Sequence, residues 1–134
     1  MNQLSTIQKI FTFKSIAIVG MSPKPERPSH YVALYLKDQG YEIIPVNPGH
    51  SEIAGMTSYP SLLDIPIKID IVDIFRRSEH VIPITEEAIK IKAKALWLQD
   101  GIINEEAAKL SKSHNIYFVM NDCLLRRHQQ LKLA

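Results

Sequence analysis

The sequence predicts an α/β fold built on a doubly wound parallel sheet, and three observations lead there. Short apolar runs recur at 15–19, 41–46, 69–75, 94–98 and 116–120, each bounded by Gly, Pro, Asn, Asp or charged residues. Segments of helical spacing fall between most of them. The first run, S-I-A-I-V, passes through Gly20 into a polar loop and then a helical segment, which is how an open α/β sheet begins. Alternation of this kind calls for parallel strands joined by right-handed crossovers. The expected architecture is Rossmann-like, with five strands in the order 3-2-1-4-5 along the chain and helices on both faces.

Taken in order, residues 2–11 place Leu4, Ile7, Ile10 and Phe11 on one helical face, with Asn2 or Ser5 as caps, and should pack on the sheet edge. After the first strand and its loop, Tyr31, Leu34 and Tyr35 recur at helical spacing, with Gly40 in the stop position. The second strand, 41–46, ends in the turn Asn47-Pro48-Gly49-His50. Pro45 cannot donate to a sheet ladder and is expected near that strand's end. Residues 51–59 read as a linker, and Ser61 caps a single helical turn. The third strand, 69–75, precedes the loop Arg76-Arg77-Ser78 and a helix at 81–92. The fourth strand, 94–98, leads through Gln99-Asp100-Gly101 to a helix capped by Asn104, whose first turn carries Glu105 and Glu106. The fifth strand, 116–120, is followed by a last helical stretch at 124–131.

The 134 residues suit one domain, spanning 1–134, with 1–12 as its N-terminal helix and 121–134 as its tail. A net charge of +2 is too small to argue for nucleic acid, and Arg126-Arg127-His128 lacks neighbouring aromatic stacking platforms. No apolar run is long enough to cross a bilayer, and no signal-peptide layout opens the chain. A single cysteine, Cys123, excludes an internal disulfide and suits a reducing compartment, so a cytoplasmic location is expected.

In a sheet of this kind ligands bind beyond the carboxyl ends of the strands. Those ends are Gly20–Arg27, 47–50, 75–77 and 99–101; they carry Lys24, Arg27, His50, Arg76 and Arg77 against Glu26 and Asp100. Loop amides, a helix N-terminus and a basic rim suit a ligand with several phosphates. The dinucleotide fingerprint G-x-G-x-x-G is absent, and Asn47 stands where an acid would bind a ribose diol. A Walker loop is absent as well. No histidine pairs with a cysteine or carboxylate at metal-ligand spacing, so no metal site is expected and His30, His50, His80, His114 and His128 are read as solvent-exposed. Asp70 and Asp73 are given structural roles, and Trp97 a place in the core or beside the pocket.

The loops together resemble a known family. I-A-I-V-G-M-S-P-K-P-E-R-P, I-I-P-V-N-P, G-M-T-S-Y-P-S-L-L-D-I-P, D-I-V-D-I-F-R-R and A-K-A-L-W-L-Q, in this order over residues 13–131, resemble the small CoA-binding domain proteins of bacteria and archaea. These look like stand-alone relatives of the CoA-binding domain in the succinyl-CoA synthetase α subunit and in ADP-forming acyl-CoA synthetases. The resemblance implies a nucleotide-binding site for coenzyme A. By motif, Gly20, Met21, Ser22, Pro23, Lys24 and Pro25, with Arg27 in the same loop, meet the CoA phosphates. Asn47 and Pro48 form the turn after the second strand, and His50 stands where the synthetases place a lysine. Phe75 and Arg76 border the adenine end, and Leu98, Gln99 and Asp100 match the segment after the fourth strand.

The synthetases work through a phosphorylated histidine in a second domain and an ATP-grasp partner, so catalysis by this domain alone is not expected. The resemblance thus implies a carrier, sensor or regulatory module for CoA or acyl-CoA, self-associating or docking on a separate enzyme subunit. The alternative is a thiol-redox or acyl-CoA enzyme using Cys123, the family often having a cysteine in this segment. Arg126 and Arg127 beside Cys123 favour its thiolate.

Overall fold

A computed structural model describes residues 2–133. The chain runs α1 (Leu4–Ile10), β1 (Ser15–Val19), α2 (Pro28–Asp38), β2 (Glu42–Val46), β3 (Glu52–Ile53) and β4 (Met56–Thr57). It continues through β5 (Ile71–Ile74), α3 (Val81–Lys90), β6 (Ala95–Leu98), α4 (Glu105–Ser113), β7 (Tyr117–Val119) and α5 (Leu124–Leu133). The main sheet is parallel throughout and five-stranded, in the order β2-β1-β5-β6-β7. Helices cover both faces, as expected for an α/β sheet of this class.

The strand order corrects one expectation. Counted along the chain, the large sheet runs 2-1-3-4-5 rather than 3-2-1-4-5, because β5 pairs with β1 and not with β2. Pro45 supplies a physical reason. It lies inside β2 opposite Ile18, and a residue without an N–H is tolerated where only one side of a strand is fully paired. The outer side of β2 receives only a bridge between Val46 and Tyr59, in which the Tyr59 N–H donates to the Pro45 carbonyl at 3.1 Å. The segment read as a linker also holds structure, since β3 and β4 form a small antiparallel hairpin.

Alternate residues of each strand feed opposite cores. Ala17, Val19, Ile44, Val46, Val72, Ile74, Leu96 and Leu98 pack under α3 and α4, against Val81, Ile84, Ala88 and Ala107. Ile16, Ile18, Ile43, Ile71, Ala95 and Trp97 pack under α1, α2 and α5, against Ile7, Ile10, Val32, Ala33, Leu36 and Leu124. The N-terminal helix is capped neither by Asn2 nor by Ser5. Its N-cap is Gln3, while the Asn2 side chain donates to the Met120 carbonyl at 2.7 Å. The expected caps at Ser61 and Asn104 both form, accepting from the Leu63 and Ala107 N–H groups.

Two histidines read as exposed are not. His30 is 6% exposed, its Nδ1 2.8 Å from the Ser22 carbonyl. His128 is half-buried among Phe11, Tyr35 and Tyr41, with Nδ1 2.8 Å from the Tyr35 hydroxyl, and burial together with Lys132 lowers its pKa. Asp70 takes the structural role assigned to it, accepting from the Lys14 and Ser15 N–H groups and pairing with Lys94.

Asp73 is stranger. It lies in the central strand between Ile18 and Trp97, wholly buried, and neither carboxyl oxygen has a partner. Desolvation therefore pushes its pKa well above the ordinary carboxylate value. Above that ordinary value the unfolded chain releases the proton while the folded chain keeps it, so rising pH disfavours folding. In Asp73→Asn this linkage disappears. Urea unfolding across a pH series should show the variant gaining on the wild type by up to about 1.4 kcal/mol per pH unit above pH ~4, until the native carboxyl itself ionises.

Candidate functional site

The carboxyl ends of β1, β5 and β6 open onto a cavity of about 400 Å³. Its lining includes Pro28 and Ser29 from the first turn of α2 and Cys123, the residue before α5. Gly20 makes this approach feasible. Its φ is +88°, a left-handed conformation costly for any residue with a side chain. A Cβ there would stand 2.9 Å from Arg76 Cδ and 3.3 Å from the Phe75 carbonyl oxygen. The Gly20 N–H donates to the Val46 carbonyl at 2.9 Å, tying the turn to β2.

The loop after Gly20 is held by its own polar groups. The Ser22 N–H donates to Ser29 Oγ at 2.9 Å, the Lys24 N–H to Ser22 Oγ at 3.1 Å, and Asn47 Nδ2 to the Met21 carbonyl at 2.9 Å. Pro28 occupies the first helical turn of α2, where its missing N–H costs nothing, and Arg27 is the N-cap residue. The positive end of α2 thus faces the cavity through Ser29, as an anion site would require.

Of the residues singled out from the sequence, Gly20, Ser22, Arg27, Phe75, Gln99, Asp100 and Cys123 line the cavity together. Met21 and Leu98 are fully buried beneath it. Asn47 braces the loop, and Pro23, Lys24, Pro25, Pro48 and His50 are exposed outside the lining. The Arg76 stem packs over Gly20. Reading the strand ends missed Pro28, Ser29, Tyr31, Val32 and Ile102 in the lining. Tyr31, whose helical spacing predicts a place on the apolar face of α2, is 49% exposed. The signal was the i, i+3 spacing of Pro28 and Tyr31 at a helix start.

The charges divide cleanly. Lys24, Arg27, Arg76 and Arg77 make no salt bridge among the described residues. Arg126, by contrast, grips Asp100 at 2.9 and 3.0 Å and reaches Asp122. That guanidinium holds the Asp100 pKa below the usual carboxylate value despite some burial. Arg127 Nε donates to Asp122 at 2.9 Å. The two arginines expected to favour a Cys123 thiolate are therefore largely neutralised by acids.

The sequence profile of the CoA binding domain matches residues 14–129. This chain belongs to that family. It is 42% identical over 119 residues to the uncharacterized protein YneT of Bacillus subtilis, covering 89% of this chain and 88% of YneT. It is 30% identical over 105 residues to acetate–CoA ligase [ADP-forming] II of Archaeoglobus fulgidus, covering 77% of this chain but only 16% of the ligase. Among solved structures, a hypothetical protein of Pyrococcus horikoshii OT3 superposes with a TM-score of 0.93 at 42% identity, over 98% of this chain and 93% of that one. The Rossmann-like fold and the kinship with ADP-forming acyl-CoA synthetases are thus both established. Among the described residues no helix is long and apolar enough to cross a membrane, and no His, Cys, Asp and Glu cluster could hold a metal ion.

Gly20→Ala should lower stability by roughly 1–3 kcal/mol, the strain of a left-handed non-glycine residue plus displacement of Arg76. Thermal unfolding monitored by circular dichroism measures it; an unchanged midpoint would mean that the turn is freer than its geometry indicates.

Proposed function

We propose that this domain binds coenzyme A or acyl-CoA as a carrier, sensor or regulatory module, without catalysing a reaction of its own. The observation that carries the reading is the cavity at the carboxyl ends of β1, β5 and β6, lined by the first turn of α2 and by Arg27, a cation that makes no salt bridge among the described residues. Anionic phosphates are drawn to such a lining, and Arg27, Arg76 and Lys24 supply the charge-assisted donors. In this reading Phe75 borders the adenine end, and Gln99 and Cys123, which line the same cavity, lie toward the arm.

NAD fits less well. The Asn47 side chain at the end of β2 is committed to the Met21 carbonyl and the Gly49 N–H, leaving no acid there for a ribose diol. The lining favours binding over catalysis: among its described residues there is no histidine, Asp100 is paired with Arg126, and Cys123 is the one thiol. The A. fulgidus relative is an acetate–CoA ligase of which this chain covers 16%, so the resemblance supports a shared CoA site rather than a shared reaction. Docking on a separate enzyme subunit, or pairing of two copies, is compatible with that role.

Isothermal titration with CoA, NAD and ATP tests the reading. CoA should bind and NAD should not, and Arg27→Ala should weaken CoA by roughly tenfold or more, as expected for a lost charge-assisted hydrogen bond. Protein that ignores CoA yet binds NAD or ATP would sink it.

A further inference from the structure

The exposed large hydrophobic side chains are scattered over the described residues, except that Tyr31 and Leu34 share one helix, α2. A single exposed apolar residue is ordinary, whereas two on one helix face leave an apolar strip in water. Arg27, Tyr31, Leu34 and Asp38 follow the i, i+4, i+7, i+11 spacing that keeps side chains in one stripe along a helix. All four are exposed, while Val32, Ala33 and Leu36 on the other side of α2 are buried in the core.

The two ends of the stripe carry charges in unfavourable places. Arg27 is the N-cap residue of α2, and Asp38 is its last residue. The helix dipole disfavours a cation at the first position and an acid at the second. Neither side chain makes a salt bridge among the described residues. A second copy of α2, running antiparallel, supplies what each lacks. Arg27 and Asp38 are centred on the same point of the helix as Tyr31 and Leu34, between Val32 and Ala33. A two-fold axis through that point sets each Arg27 opposite Asp38 of the other copy, and each Tyr31 opposite Leu34. A two-fold interface demands this self-matching, since where residue i meets j, j must meet i. The stripe is about 16 Å long at ~1.5 Å per residue, so helices crossing at about 20° stay in reach at both ends.

We propose that two copies of this chain pair through α2, antiparallel, with Tyr31 and Leu34 at the centre and Arg27–Asp38 ion pairs at the ends. Burial of the apolar centre supplies the attraction, and the charges set register and orientation. One helix face from each copy is a smaller contact than the roughly 800 Å² per partner of a standard interface, so the pair forms and separates reversibly. Tyr31 and Arg27 also line the cavity, which brings Leu34 and Asp38 of the second copy to its mouth. The pairing does not depend on which ligand the cavity takes.

Sedimentation velocity on the unmodified chain, from about 10 µM to about 1 mM, covers the range that a contact of this size calls for. A reversible monomer–dimer equilibrium is expected. Leu34→Glu and Asp38→Arg should each weaken it by about tenfold or more, with thermal unfolding by circular dichroism showing that both variants stay folded. Arg27→Asp added to Asp38→Arg rebuilds the ion pairs with reversed polarity and should recover the association lost in Asp38→Arg alone. Leu4→Glu, which alters an exposed leucine on α1, should leave the equilibrium unaltered. A monomer at every concentration overturns the proposal and leaves the stripe to an unlike partner. A dimer that Leu34→Glu and Asp38→Arg do not weaken overturns it by placing the contact elsewhere. Equal weakening by Leu4→Glu, or no recovery in the reversed pair, overturns the assigned face and register.

Discussion

The structure depends on the chain turning at Gly20 with the Arg76 stem and the Phe75 carbonyl pressed against it. A left-handed backbone at that point lets β1 end abruptly, sends the loop across the end of β2, and brings α2 back with its positive end over the sheet. The Gly20 N–H to Val46, Asn47 to Met21, and Ser22 to Ser29 bonds then fix a loop that has little apolar anchoring beyond Met21. The cavity is the space this turn leaves open. Because three different strands contribute its floor, its shape is tied to the rigidity of the sheet rather than to any one loop.

A second node holds the opposite wall. Asp122 is 3% exposed and accepts from Asn2, from the Cys123 N–H, and from Arg126 and Arg127. Its backbone carbonyl accepts from Trp97 Nε1 at 3.0 Å. A buried carboxylate with this many donors is fully satisfied, unlike Asp73 in the neighbouring strand. The two acids show how one residue type takes opposite states in a small domain. One organises two arginines; the other has no partner, and burial pushes its pKa well above the ordinary carboxylate value.

The fold class was legible because apolar runs ending in glycine or polar turns alternate with helical spacing, a pattern that tertiary contacts rarely override. The strand order was not read correctly, although its determinant was in view. Pro45 is expected near the end of the second strand, where it lies, but it also marks that strand as the edge of the sheet. Strand ends pointed to Gly20, Ser22, Arg27, Phe75, Gln99 and Asp100, which line one cavity, and the resemblance pointed to Cys123, which lines it too. What escaped depends on side-chain direction. Tyr31 turns to the cavity rim instead of the core, His30 turns inward to the Ser22 carbonyl, and Asn47 spends its amide on the loop. Periodicity assigns a face, but not which neighbour a polar group will find there.

Pro45 and Tyr59 have a consequence beyond strand order. Open margins of a sheet are templates for pairing with another chain, the first step toward polymers and insoluble deposits. On one flank Pro45 offers no N–H, and its own carbonyl already accepts from the Tyr59 N–H. On the other flank β7 is only three residues long, and Asn2 covers the Met120 groups at its end, donating to the carbonyl and accepting from the N–H. A strand from a neighbouring molecule finds no continuous ladder to extend on either side. Both margins of the sheet are thus blunted against edge-to-edge pairing.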